Sequence, residues 1–266
     1  MAEVFAAFKI TGTIAGINFY LFQNGKNYAR EKGKTGITSK QFYENPIFDP
    51  IRNQSKEFGH AIHIGKIVRL LFKPFFERAK DGAFAGRVHK LLLEVLTEDE
   101  MNPHGERTVA NGLKTETGKS FLLNFQGNQL QPLNQTHTKE WNWNPENNQL
   151  TIDCHLTNDF VWPETATHMH IVVATSHWDY EKNSFETCYS QEMAFNKEDT
   201  TLKLQLNTET PTLDGLKITA VLIAFSEFYR RRYKPLKRAR NSTAFIAVSP
   251  LSQNPQIFQD SKPMKE

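Results

Sequence analysis

The chain has 266 residues, 39% hydrophobic and 23% charged, a globular mixture with room for one large or two modest cores that excludes wholesale disorder. No apolar run approaches the ~18 residues of a membrane-spanning helix, and Cys154 and Cys188 are too few for a disulfide framework. The net charge of +3 conceals a segregation: residues 1–90 hold 15 Lys and Arg against 7 Asp and Glu, residues 91–229 hold 8 against 20, and residues 230–240 carry seven cations and no acid.

A chain divided in this way suits polyanion binding or end-to-end contact with copies of itself. The opening "MAEVFAAFKITGT" places Glu3, not basic residues, before a short apolar stretch, which argues against a secretory leader. Two free thiols in a reducing cytoplasm fit that reading.

"GINFYLFQNGKNYARE" reads as two strands joined at Asn24-Gly25, because a two-residue type I′ turn needs positive φ at both central positions. That turn sets Leu21 opposite Tyr28 and Phe19 opposite Arg30, with Tyr20 and Phe22 beside Ala29 and Asn27. Both faces are then apolar or aromatic, and a lone hairpin needs a partner surface. Residues 30–40 read as a polar loop.

A long helix is expected from Asp49-Pro50, with Asp as cap and Pro in the first turn. Projected at about 100° per residue, Phe58, Ala61, Gly65, Val68 and Phe72 share one face, and Arg52, Lys56, His63, Lys66 and Lys73 the other. That cationic stripe runs roughly 30 Å before Pro74 breaks the helix. A second helix follows over residues 84–97, with Val88, Leu91, Leu92 and Val95 as its apolar side.

From residue 120 the period becomes two. Strands are expected at 120–125, 149–155, 168–176, 185–193, 201–206, 216–228 and 243–248, a count and spacing that suit an immunoglobulin-like antiparallel β-sandwich. The fold class is therefore α+β: a hairpin and two helices over residues 1–110, a sandwich over 111–252, and a tail at 253–266. The boundary falls within residues 98–118.

Catalytic signatures are missing from the sequence. "GLKTETGKS" sets Gly112 one residue too far from Gly118-Lys119-Ser120 for a phosphate-binding loop, and "YAREKGKT" has Tyr28 where the first glycine belongs. His168 and His170 lie two apart on one strand face, near His155 and His177, without the carboxylates that support a zinc site. His60 and His63 on the first helix lack them too. GxSxG, HExxH, GxGxxG and CxxC do not occur. The expectation is no catalytic residue, no metal, no cofactor and no small-molecule substrate. The stronger signal is "YRRRYKPLKRAR" between two strands. Arg230, Arg231, Arg232, Lys234, Lys237, Arg238 and Arg240, interleaved with Tyr229 and Tyr233, suit phosphate contact with base stacking, or docking on an acidic protein surface.

The run from "KITGTIAGINFY" through "NPIFDPIRNQSKEFGHAIHIGKIVRLLF" to "GERTVANG", with "PETATHMHIV" and "YKPLKRARNSTAFIAV" later, resembles a group of proteins from Bacteroidota genomes. The matching positions include Arg52, Asn53, Ser55, Glu57, Phe58, Gly59, Gly65, Lys66 and Arg69. That group carries no established activity, so the resemblance implies no functional residue.

Two functions remain open from sequence. One is a cytoplasmic, non-catalytic structural protein that self-associates through Phe19, Tyr20, Leu21, Phe22 and Tyr28, with residues 230–240 meeting an acidic neighbour. The other is a DNA- or RNA-binding protein that uses Arg52, Lys56, Lys66 and Lys73 together with the basic loop.

Overall fold

A computed structural model describes residues 2–33, 36–139, 141–199 and 201–249; the expected tail at 253–266 lies outside them. The architecture is α+β, and the chain divides into compact units between Asp49 and Pro50.

The first unit is an antiparallel sheet of β1 (Ala2–Glu3), β2 (Gly12–Ile14), β3 (Ile17–Leu21) and β4 (Asn27–Glu31), ordered β1-β4-β3-β2 and followed by α1 (Ser39–Glu44). The expected hairpin is thus its centre, but in a different register. Leu21 pairs with Asn27, Tyr20 with Tyr28 and Phe19 with Ala29. The Gly25 N–H donates to the Phe22 carbonyl and the Phe22 N–H to the Lys26 carbonyl, so the loop has three residues, with Gly25 alone at positive φ (+76°). A type I turn closed by a left-handed glycine explains the change. The type I′ pair occurs one hairpin earlier, at Ala15 (φ +48°) and Gly16 (φ +78°), between β2 and β3.

The second unit opens with α2 (Asp49–Leu71), α3 (Lys73–Arg78) and α4 (Phe84–Thr97), as the helical spacing predicts. Asp49 is already helical; the capping side chain is Asn45, which accepts from the Ile47 N–H at the head of the 3-10 turn Pro46–Phe48. Leu71 ends α2, and Pro74 lies in the first turn of α3. The buried face of α2 is Glu57, Ala61, Ile64, Gly65, Val68 and Leu71, with Phe58 exposed. Glu57 takes the inward position because Arg107 donates to both of its oxygens at 2.8 Å and the Gly105 N–H to one at 2.7 Å. A buried carboxylate persists only with such partners.

Next come α5 (Val109–Gly112), α6 (Glu116–Leu122) and α7 (Leu133–Thr136). Residues 116–122 are helical where a strand was expected from 120. Thr115 accepts from the Gly118 N–H as an N-cap, and Leu122 turns into the helical core. The near-miss phosphate loop is therefore a packed turn, with Lys119 bonded to Glu116 at 3.0 Å.

The strands are β5 (Asn142–Asn144), β6 (Gln149–His155), β7 (His168–Asp179), β8 (Ser184–Tyr189), β9 (Met193–Asn196), β10 (Thr201–Asn207), β11 (Leu216–Tyr229), β12 (Arg232–Pro235) and β13 (Ser242–Ser249). Long β7 and β11 pair along eleven positions, from Leu216–Trp178 to Ser226–His168. Strands β8 and β9 share the outer edge of β7, and β12 and β13 that of β11. A smaller sheet is ordered β10-β6-β5.

Alternation along β11 builds two cores. Ile218, Ala220 and Leu222, with Val172 and Phe245, pack against Val68, Phe72, Phe76, Leu92 and Leu96 of the helices. Val221, Ile223 and Phe225, with Ile171 and Val173, pack against Leu150, Ile152, Cys154 and Leu204 of the smaller sheet. Each buried Val, Leu, Ile or Phe among them is worth about 1.5–3 kcal/mol. Cys154 and Cys188 are free, and burial pushes the Cys154 thiol up to about 11.

Candidate functional site

The observed register divides the hairpin residues between two faces of the N-terminal sheet. Tyr20, Phe22 and Tyr28 share one face with Lys26 and Arg30. Tyr20 and Tyr28 stack with ring centroids 6.1 Å apart, Phe22 meets Tyr28 edge-on, and the Arg30 guanidinium lies 5.6 Å from the Tyr20 ring. Phe19 and Leu21 share the other face with Ile14 and Ile17. Asn27 is buried on this side; its amide bonds to both backbone groups of Ile10 and to the Tyr20 carbonyl, so the crossing segment is tied to the hairpin.

Among the described residues of this unit no hydrophobic side chain is buried, whereas Ile14 is 57% exposed, Leu21 43%, Phe22 58% and Phe5 90%.

On α2, Lys56, His63 and Lys66 are exposed and Arg52 is half-buried. Lys66 lines a shallow groove of about 330 Å³ with Arg69, Lys73 and Lys80, above Phe76 and Phe84. Arg52 lies roughly 21 Å from Lys66 along the helix axis, and the groove adds Arg69 and Lys80 to the cations at the Lys66 end. Arg69 donates to His89 at 3.2 Å; burial, then the Arg69 charge, hold His89 below the usual histidine range, which leaves its ring free to accept. His60 serves similarly as acceptor for the Val109 N–H, and burial keeps it below its ordinary value.

The basic segment forms the β11–β12 hairpin and then the 3-10 turn Arg238–Arg240. Tyr229 pairs with Arg232, so Arg230 (φ +49°) and Arg231 (φ +62°) are the two central residues of a tight turn. Both occupy the left-handed region that glycine or asparagine adopts readily, at a cost on the order of 1 kcal/mol each for other residues. Arg230 covers the Tyr229 ring at 5.0 Å. Phe228 pairs with Tyr233 across the hairpin, centroids 5.0 Å apart, and His168 lies 4.9 Å from Tyr233 and 5.6 Å from Phe228. His170 meets Tyr233 at 5.6 Å, contacts Ser226 Oγ at 2.7 Å and gives its Nδ1 to Glu192 at 3.0 Å. Arg78 holds Glu192 through two bonds of 2.8 and 2.9 Å, which keep that carboxyl low. Burial outweighs the Glu192 charge and holds His170 below the usual range.

Arg238 and Arg240 sit apart from the hairpin tip, on a turn fixed by Asn128, whose amide reaches the Arg238, Ala239 and Asn241 carbonyls. Asn241 in turn donates to the Arg78 carbonyl at 2.8 Å. Exposed Lys237 precedes that turn, and Lys234 pairs with Glu227 in the β11–β12 ladder.

Sequence reasoning missed Phe228 and the convergence of His168 and His170 on Tyr233. Equal parity of positions 168, 170, 226 and 228 on two long strands was the available signal, but only pairing of β7 with β11 makes them neighbours. No family model, curated protein or solved structure matches the chain.

Proposed function

We propose that this chain is a non-catalytic structural protein that associates with copies of itself through the N-terminal sheet. The observation that supports this most is the four-stranded sheet without a single buried hydrophobic side chain among its described residues. A unit of 49 residues that buries so little cannot offset the conformational entropy of its own ordering.

The contact is a face and not an edge. The outer strands have only two and three residues, which blunts strand addition. Of the two faces, the one with Tyr20, Phe22 and Tyr28 carries three charged residues, Arg30 and the Lys26–Glu3 pair. The Ile14, Ile17, Phe19 and Leu21 face carries a single one, Glu31, at its margin beside Ile17, and suits a two-fold, self-complementary contact. Few side chains make this face, which places the contact among small, weak interfaces. The reading needs the two facing sheets of the second unit only as a scaffold and does not depend on an immunoglobulin-like strand order.

The test is the double variant Ile17→Glu with Leu21→Glu. Both side chains are exposed, so the change introduces little strain, yet it sets four carboxylates in a two-fold interface. Light scattering should show the variant at monomer mass where the native chain is heavier. Equal masses for the two proteins would overturn the reading.

A further inference from the structure

We propose that the β11–β12 hairpin is a binding site for single-stranded nucleic acid, with Phe228 and Tyr233 as stacking surfaces and Arg230 and Arg231 as phosphate contacts. The inference is independent of self-association and rests on other residues.

The first support is the turn. A two-residue turn with positive φ at both positions is best filled by Asn-Gly. Elsewhere among the described residues, non-glycine positions at positive φ are Asn124, Asn148, Asn183 and Ala15, the last followed by Gly16. Only here do two consecutive long side chains take that conformation, and the result sets two guanidinium groups at the exposed tip of a hairpin.

The second support is the ring cluster behind the tip. Phe228 is 47% and Tyr233 52% exposed, although Phe228 extends the same parity of β11 that fills the helical core. Half-open rings are what successive bases stack on, and neighbouring cations add attraction to base and phosphate alike. Seated on His168 and His170, Tyr233 is held in place before any ligand arrives. The Glu192 carboxylate behind this platform, which meets His170, is held by Arg78, and Glu227 stands opposite Lys234 in the ladder. An acidic protein surface would use the arginines but not the rings, and duplex DNA keeps its bases stacked internally; the unpaired strand uses both.

The experiment is fluorescence anisotropy with labelled single-stranded RNA, single-stranded DNA, duplex DNA and poly-glutamate at low and moderate salt. Two variants complete it. In the first, Arg230→Asn with Arg231→Gly, the turn is relaxed, so the fold is kept or strengthened while two phosphate contacts vanish. Affinity for single strands should fall at least tenfold at low salt, and the slope of log affinity against log salt should flatten by about 1.4, two contacts at ~0.7 each. In the second, Tyr233→Leu keeps apolar bulk without the ring, and affinity should fall roughly tenfold with the salt slope unchanged. Tighter binding of RNA or of DNA identifies the source of the strand and supports the site either way. Absence of binding to any single strand at low salt would overturn the proposal. So would equal affinity for duplex or poly-glutamate, or indifference of the affinity to both variants.

Discussion

Asp99 shows how a single residue can hold a segment that composition marks only as polar. It is buried, yet its carboxylate accepts from the Met101, Asn102 and Thr108 N–H groups and from the Asn102 and Asn111 amides. Burial alone would raise its pKa; these donors outweigh it and bring the group to about 2 from 3.8. A carboxyl lowered on folding adds stability that is complete above its unfolded pKa and lost as pH falls through the folded one. The contribution is about 2 kcal/mol at neutral pH. Unfolding free energies measured from pH 6 to pH 2.5 should therefore fall less steeply for Asp99→Asn than for the native chain, by most of that figure. Identical acid profiles would contradict this role. Glu57 teaches the complementary lesson. Helical projection turned Phe58 inward because its partner-dependent neighbour could be placed only with Arg107, fifty residues later, in view.

At the scale of elements, local signals were legible where they were strong and self-contained. The Phe84–Thr97 helix, the break before Pro74 and the long alternating strands follow from period and proline chemistry. The failures have one cause, contacts that the period does not encode. The strand expected at 120–125 gives way to the helix Glu116–Leu122, because Gly112 and Gly118 let backbone meet backbone there. A Cβ on Gly112 would sit 2.0 Å from the Val95 carbonyl oxygen, and one on Gly118 the same distance from that of Gly112. Gly112→Ala must therefore push α5 from α4, at a cost of about 3 kcal/mol. Thermal unfolding should fall by roughly 6–12 °C, whereas Gly86→Ala, with open space at its Cβ, should move it by a degree or two at most. Equal effects at the two glycines would refute the packing argument. Turn chemistry failed more subtly: Asn24-Gly25 does turn the chain, but through three residues, and that one-residue slip exchanges which side chains share a face.

For the molecule as a whole, the segregation of charge was visible from sequence, and so was the apolar character of both hairpin faces. What sequence could not supply was the division of labour between those faces, which hangs on one residue of register, or the two cores on opposite sides of β7 and β11 and the ring cluster at the hairpin tip, which depend on strand pairing across 38 to 58 residues. The second unit is secured by those cores. The first has no buried hydrophobic side chain among its described residues, and from this contrast the self-association reading follows. Because the proposed contact is apolar, it should survive salt that screens surface charges beyond ~3 Å. Sedimentation velocity of the native chain, over a concentration range spanning micromolar values in 1 M salt, is the most direct test. The weight-average mass should climb from the 30.6 kDa monomer toward twice that value as concentration rises; a monomer mass at every concentration would rule out self-association.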